Sequence, residues 1–83
     1  MEDKVIVIFN IINRDFSVDL EVPLNITAYD LVLALNEAYK LGIDTNNIPK
    51  CYLKAEDPIA LLKGSKTLAE YGIRNGSIIN FTE

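Results

Sequence analysis

Apolar and polar residues alternate from Phe16 to Val22: Phe16, Val18, Leu20 and Val22 interleave with Ser17, Asp19 and Glu21. This period of two marks a strand with one buried and one wet face. Pro23 ends it. Val5 to Ile12 is a second apolar run, and a tight turn near Asn13-Arg14 pairs the two. That register sets Phe9 against Val18, Val7 against Leu20 and Val5 against Val22, all facing one side. The period then changes. Thr27, with Asp30 three residues on, reads as a helix N-cap, and Ala28, Leu31, Leu35 and Ala38 recur at helical spacing behind it. The pattern predicts a helix to about Leu41, capped by Gly42. Asp44 to Pro49 is a loop by its Asn, Asp and Pro content. Cys51 to Ala55 predicts a third strand, Ala60 to Leu62 a short fourth after the Glu56-Asp57-Pro58 turn, and Ile78 to Phe81 a last one after an Asn75-Gly76 turn. Gly64 to Gly76 reads as loop anchored by Leu68 and Ile73.

The order ββαβββ predicts an α+β fold of the β-grasp type: a mixed five-stranded sheet, first and last strands parallel at its centre, with one helix packed on one face. The whole chain, 1–83, is expected to form a single domain. Three stretches carry a resemblance to ubiquitin-like proteins: Asp19-Leu20-Glu21-Val22, the Thr27 cap, and Thr67-Leu68-Ala69-Glu70-Tyr71-Gly72-Ile73. Within that superfamily, Tyr71-Gly72-Ile73 followed by Asn75-Gly76 and a final apolar strand resembles the small YukD/EsaB proteins, stand-alone components of type VII secretion in Gram-positive bacteria. The resemblance implies an accessory role, regulatory or scaffolding, at the cytoplasmic side of the secretion machine. It also implies protein partners: the cytosolic domains of a membrane-anchored pseudokinase-like component or of an FtsK/SpoIIIE-type ATPase. Conjugated ubiquitin-like proteins continue past the last strand into a tail ending in two glycines, whereas this chain offers Glu83. It is therefore expected not to be joined to substrates. A divergent sulfur-carrier relative, and an adaptor unrelated to secretion, stay open as alternatives.

Composition narrows the chemistry. Eighty-three residues, 49% of them apolar, suffice for one modest core. A net charge of -4 opposes binding to nucleic acid or to an anionic membrane, so a membrane is expected only through a partner. The charge is uneven, with eight acids against three bases in residues 1–45 and four against five in 46–83. One cysteine forms no internal disulfide, which with the absence of a signal-like or spanning segment suggests a cytoplasmic protein. The chain contains no histidine, so Ser-His, Cys-His and His-metal sites cannot be assembled from it. Strand alternation turns Cys51 inward, away from reactivity. Asp44, Glu56 and Asp57 lie in separate loops without ligand spacing, and the glycines sit singly at turns. No enzyme activity, cofactor or metal is implied.

A binding face is better marked. In the hairpin register Ile6, Ile8 and Ile12 point away from the helix, onto the outer sheet face. With Ile79 and Phe81 inward, Ile78 joins them there, and the third strand adds Tyr52 and Lys54. Ile6, Ile8, Ile78 and Tyr52, with Lys54 as a basic edge, form the candidate protein-binding site, on the face that ubiquitin-like proteins generally use. The plain alternative is that isoleucine simply favours an exposed central strand. A second candidate lies on the helix, where Tyr29, Leu33, Glu37 and Lys40 sit opposite the buried stripe.

Overall fold

The computed structural model describes residues 3–82. Expectations that fall on Met1, Glu2 and Glu83, among them the one for the chain's end, lie outside the described residues. Five strands and one α-helix follow in the order β1 (Lys4–Ile11), β2 (Phe16–Pro23), α1 (Ala28–Tyr39), β3 (Leu53–Glu56), β4 (Ala60–Leu62) and β5 (Ile78–Phe81). They form one mixed sheet ordered β2-β1-β5-β3-β4. β1 and β5 run parallel at its centre, and the other pairs are antiparallel.

Alternation decides the two faces. Along β1 the odd positions Val5, Val7, Phe9 and Ile11 are buried while Lys4 and Ile6 are exposed. The hairpin register is the expected one, Val5 to Val22, Val7 to Leu20 and Phe9 to Val18. A single 3₁₀ turn over Ile12–Arg14 closes it, with Asp15 left-handed at φ 52°. Leu31, Val32 and Leu35 of α1 are buried, and with Leu53, Leu62 and Ile79 of the sheet they belong to one core cluster. Leu68 and Ile73 anchor the long loop in that cluster, as their isolated apolar character predicts.

The helix begins where expected. Thr27 Oγ1 accepts from the Asp30 N–H at 3.1 Å, while the Ala28 and Tyr29 N–H groups donate to Lys66 and Gly64 carbonyls. The first turn is thus satisfied by a cap and by the loop beside it. The end differs. The helix stops at Tyr39 with Lys40 left-handed at φ 54°, two residues before the expected Gly42 cap. Long-range bonds explain this. The Asn36 amide donates to the Ile43 carbonyl at 3.2 Å and accepts its N–H at 2.9 Å, folding the following chain back across the helix. Arg14 donates to the Tyr39 and Lys40 carbonyls, each at 2.7 Å, taking up groups that another turn would have used. Ala38, expected in the buried stripe, is exposed, and Val32 fills the core instead.

Candidate functional site

The outer face of the sheet is built from the even positions of β1 and β5 and from β2 and β3 on either side. Ile8 lies directly beside Ile78 across the parallel pair. Ile6 is one step along β1 from Ile8 on the same face and is half exposed, at 51%. Its backbone is held on the β5 side by two bonds. The Ile6 N–H donates to the Asn75 side chain at 2.8 Å, and its carbonyl accepts from the Gly76 N–H at 2.9 Å. Gly76 can turn the chain here because its φ of +88° is open to glycine at no steric cost. The Asn75-Gly76 turn that is legible in the sequence is therefore also what extends the β1–β5 pairing as far as Ile6.

Ser77 sets the next step. Its side chain is fully buried, accepting from the Arg74 N–H at 3.0 Å and donating to the Asp57 carbonyl at 2.7 Å. Its own carbonyl takes the Ile8 N–H at 2.9 Å. Arg74 and Asp57 pair through their side chains across the same junction. One buried hydroxyl thus ties the turn after β3 to the turn before β5 and fixes the height at which Ile78 meets Ile8. Nothing in the local sequence pattern marks Ser77 for this work.

Ile6, Ile8 and Ile78 come together; Tyr52 and Lys54 do not join them. A ladder of polar side chains crosses the face between the two groups. Asn10 donates to Asn80 at 2.9 Å, and Asn80 donates to Glu56 at 2.7 Å. Tyr52, half-buried, lies beyond that ladder at the sheet's end, in an open groove lined also by Leu41, Ile43, Lys50, Lys54 and Thr82. Lys54 pairs with Asn80 on one side and with Leu61 of β4 on the other.

The flank of the isoleucine trio is acidic. Glu21 stands opposite Ile6, Asp19 opposite Ile8 and Glu56 opposite Ile78. Lys4 approaches Glu21 at 3.9 Å, the side chains of both being more than half exposed. Ile6, Ile8 and Ile78 thus form an apolar strip flanked on both sides by carboxylates. Two further apolar side chains, Leu61 and the 91% exposed Ile59, stand at the β4 edge. The signal for Leu61 was available, since Leu62 inward turns Leu61 outward.

Elsewhere, Tyr29 and Leu33 of the helix are half-buried, and Tyr29 packs against the core cluster. Cys51 is 1% exposed, with Sγ 3.5 Å from the Asp44 and Asn47 carbonyls. Glu70 has a carboxyl held below its ordinary value of 4.5, first by the Thr67 N–H and then by the Thr67 hydroxyl, each 3.0 Å from it. Among the described residues, no cluster of three or more Cys, Asp or Glu side chains is arranged to hold a metal, and no helix is long and apolar enough to cross a membrane.

Solved structures show the same fold. The chain superposes on a ubiquitin-like domain of tubulin-binding cofactor B with a TM-score of 0.77 at 19% identity, covering 100% of this chain and 92% of that one. For the C-terminal ubiquitin-like domain of mouse tubulin-specific chaperone e the TM-score is 0.74 at 13% identity, over 98% and 87%. For the ubiquitin-like domain of Plasmodium falciparum Dsk2 it is 0.68 at 19%, over 96% and 97%. At these identities the likeness is one of fold. No curated protein matches the chain. The model of the family described as WXG100 protein secretion system (Wss), protein YukD, matches residues 6–80, which contain all of the hairpin but Lys4 and Val5, the helix, the isoleucine trio and the Asn75-Gly76 turn that holds it. The chain belongs to the YukD family.

Proposed function

We propose that this protein is a noncatalytic, noncovalent binding module, an accessory component of a bacterial type VII secretion system. It works at the cytoplasmic side, where the outer face of its sheet holds a cytosolic domain of the apparatus, either of the pseudokinase-like membrane component or of the FtsK/SpoIIIE-type ATPase. The observation that carries this reading is the convergence of Ile6, Ile8 and Ile78 on one sheet face inside an acidic rim, in a chain of the YukD family. Packing within the domain does not require Ile6, which leaves half of its surface in water. Burying such a trio against a partner removes apolar area from water, and a few side chains of this kind dominate the affinity of a typical interface.

The test is calorimetric titration of the candidate cytosolic domains with wild-type protein and with the Ile6→Asp and Ile78→Asp variants. Each substitution is expected to weaken binding by about 2 kcal/mol, roughly thirtyfold, while the variants keep a native amide spectrum. Ile6→Asp is the cleaner of the two, since Ile78 is half-buried. Unchanged affinity in both variants would remove the sheet face from the account.

A further inference from the structure

β2 stands at the edge of the sheet, with β1 as its one neighbouring strand. Hydrogen-bond direction along β1 establishes which of its backbone groups are unengaged. Ile8 sends its N–H toward β5, to Ser77, so the even residues of β1 serve β5 and the odd ones serve β2. Their partners Phe16, Val18, Leu20 and Val22 are thereby occupied. Ser17, Asp19 and Glu21 point N–H and C=O away from the sheet, and among the described residues these groups have no partner. Pro23, which has no N–H to offer, closes this row at its far end. At the other edge β4 has three residues, against eight in β2.

We propose that β2 receives an extended segment of a partner protein as a sixth strand, and that this segment alternates apolar with basic residues. It goes beyond the sheet-face reading and rests on the same view of the chain as a binding module. Alternation fixes the chemistry on both sides. On the helix side the incoming strand lies beside Val18 and Leu20, half-buried apolar residues at the margin of the core, and near Phe16, which is 38% exposed. Apolar side chains there extend the core outward. On the outer face its neighbours are Asp19 and Glu21, so Lys or Arg fits and Asp or Glu does not. A second copy of this chain is disfavoured, because antiparallel pairing of two such edges sets carboxylates of one against carboxylates of the other.

The experiment measures amide hydrogen exchange of the intact protein with a synthetic peptide of roughly seven residues in which valine alternates with lysine. At ten times its Kd the peptide should slow exchange of the Ser17, Asp19 and Glu21 amides by about tenfold. A glutamate-for-lysine peptide should leave them unchanged. Ser17→Pro deletes one outward N–H without touching the β1 ladder or the edge charge, and should abolish the protection. The Asp19→Lys/Glu21→Lys double variant needs no backbone change and should exchange the peptide preference, by about two- to fivefold per charge. The proposal is overturned by protection confined to the Ile6 and Ile78 amides, by equal protection from both peptides, by binding that Ser17→Pro leaves intact, or by concentration-dependent protection of the edge without peptide, which would signify self-pairing. The sheet-face reading is judged separately, by Ile6→Asp and Ile78→Asp against a whole cytosolic domain, substitutions that leave the outward backbone groups of β2 in place.

Discussion

Ser77→Ala probes the junction that positions the isoleucine trio. The hydroxyl makes two hydrogen bonds, one accepted at 3.0 Å and one donated at 2.7 Å, and the residue is fully buried. Alanine removes both and leaves the Arg74 N–H and the Asp57 carbonyl without that partner. A net hydrogen bond is worth about 1 kcal/mol, and an abandoned buried partner adds to the loss. Because Arg74 and Asp57 are themselves exposed residues, water can reach part of the gap, which holds the total to about 2 kcal/mol. A domain of this size has a total stability of roughly 4–12 kcal/mol, so the loss is a considerable share. In urea, with m near 1 kcal/mol/M for so small a domain, the midpoint should fall by about 2 M at unchanged m. The Ile8 amide, bonded to the Ser77 carbonyl, should exchange faster in the variant than in wild type by more than the amides of β4 do. A midpoint shift below about 0.5 M would refute the assignment of Ser77 as the tie between the two turns.

Glu70 gives a pH signature. Its folded-state pKa is lowered, so the stability it contributes is present above 4.5 and is lost as pH falls through the lower folded value; the advantage of wild type over Glu70→Gln in thermal unfolding should therefore shrink on acidification below pH 4.5. Cys51, buried against the Asp44 and Asn47 carbonyls, should react with a bulky thiol reagent far more slowly in the native protein than in denaturant, and equal rates would contradict its placement. Thr27→Ala removes the side-chain cap of the helix and should cost about 1 kcal/mol, read from urea midpoints.

Much of this fold is written in local pattern. Period-two alternation in Phe16 to Val22, with the apolar run Val5 to Ile12 paired to it through a tight turn, predicts the hairpin and its register, and the Thr27 cap predicts the helix start. These features depend on neighbours within a few residues. The helix end does not. It is set by Arg14, 25 residues away from the Tyr39 carbonyl that it binds, and by Asn36 bonding to Ile43. The same reason governs the candidate site. Parity alone places Ile6, Ile8, Ile78, Tyr52 and Lys54 on one face, but only the β3–β5 register shows that Glu56 stands beside Ile78 and that Tyr52 lies beyond the Asn10–Asn80–Glu56 ladder. That register depends on the Asp57–Ser77 bond, which joins residues 20 apart through one serine hydroxyl. Glu56 thus joins Asp19 and Glu21 beside the trio, with Lys54 one step farther along β3 on the same face.

A contact between the outer sheet face and a cytosolic domain of a secretion apparatus can be mapped residue by residue. Isotope-labelled protein is titrated with the cytosolic domain of the pseudokinase-like component and, separately, with that of the FtsK/SpoIIIE-type ATPase, and amide shift changes are followed. With one of the two, perturbations should centre on Ile6, Ile8 and Ile78 and extend to Asp19, Glu21 and Glu56. Perturbations confined to Tyr29, Leu33 and Glu37 would move the contact to the helix, and no perturbation with either domain would rule out a contact of this protein with the secretion apparatus.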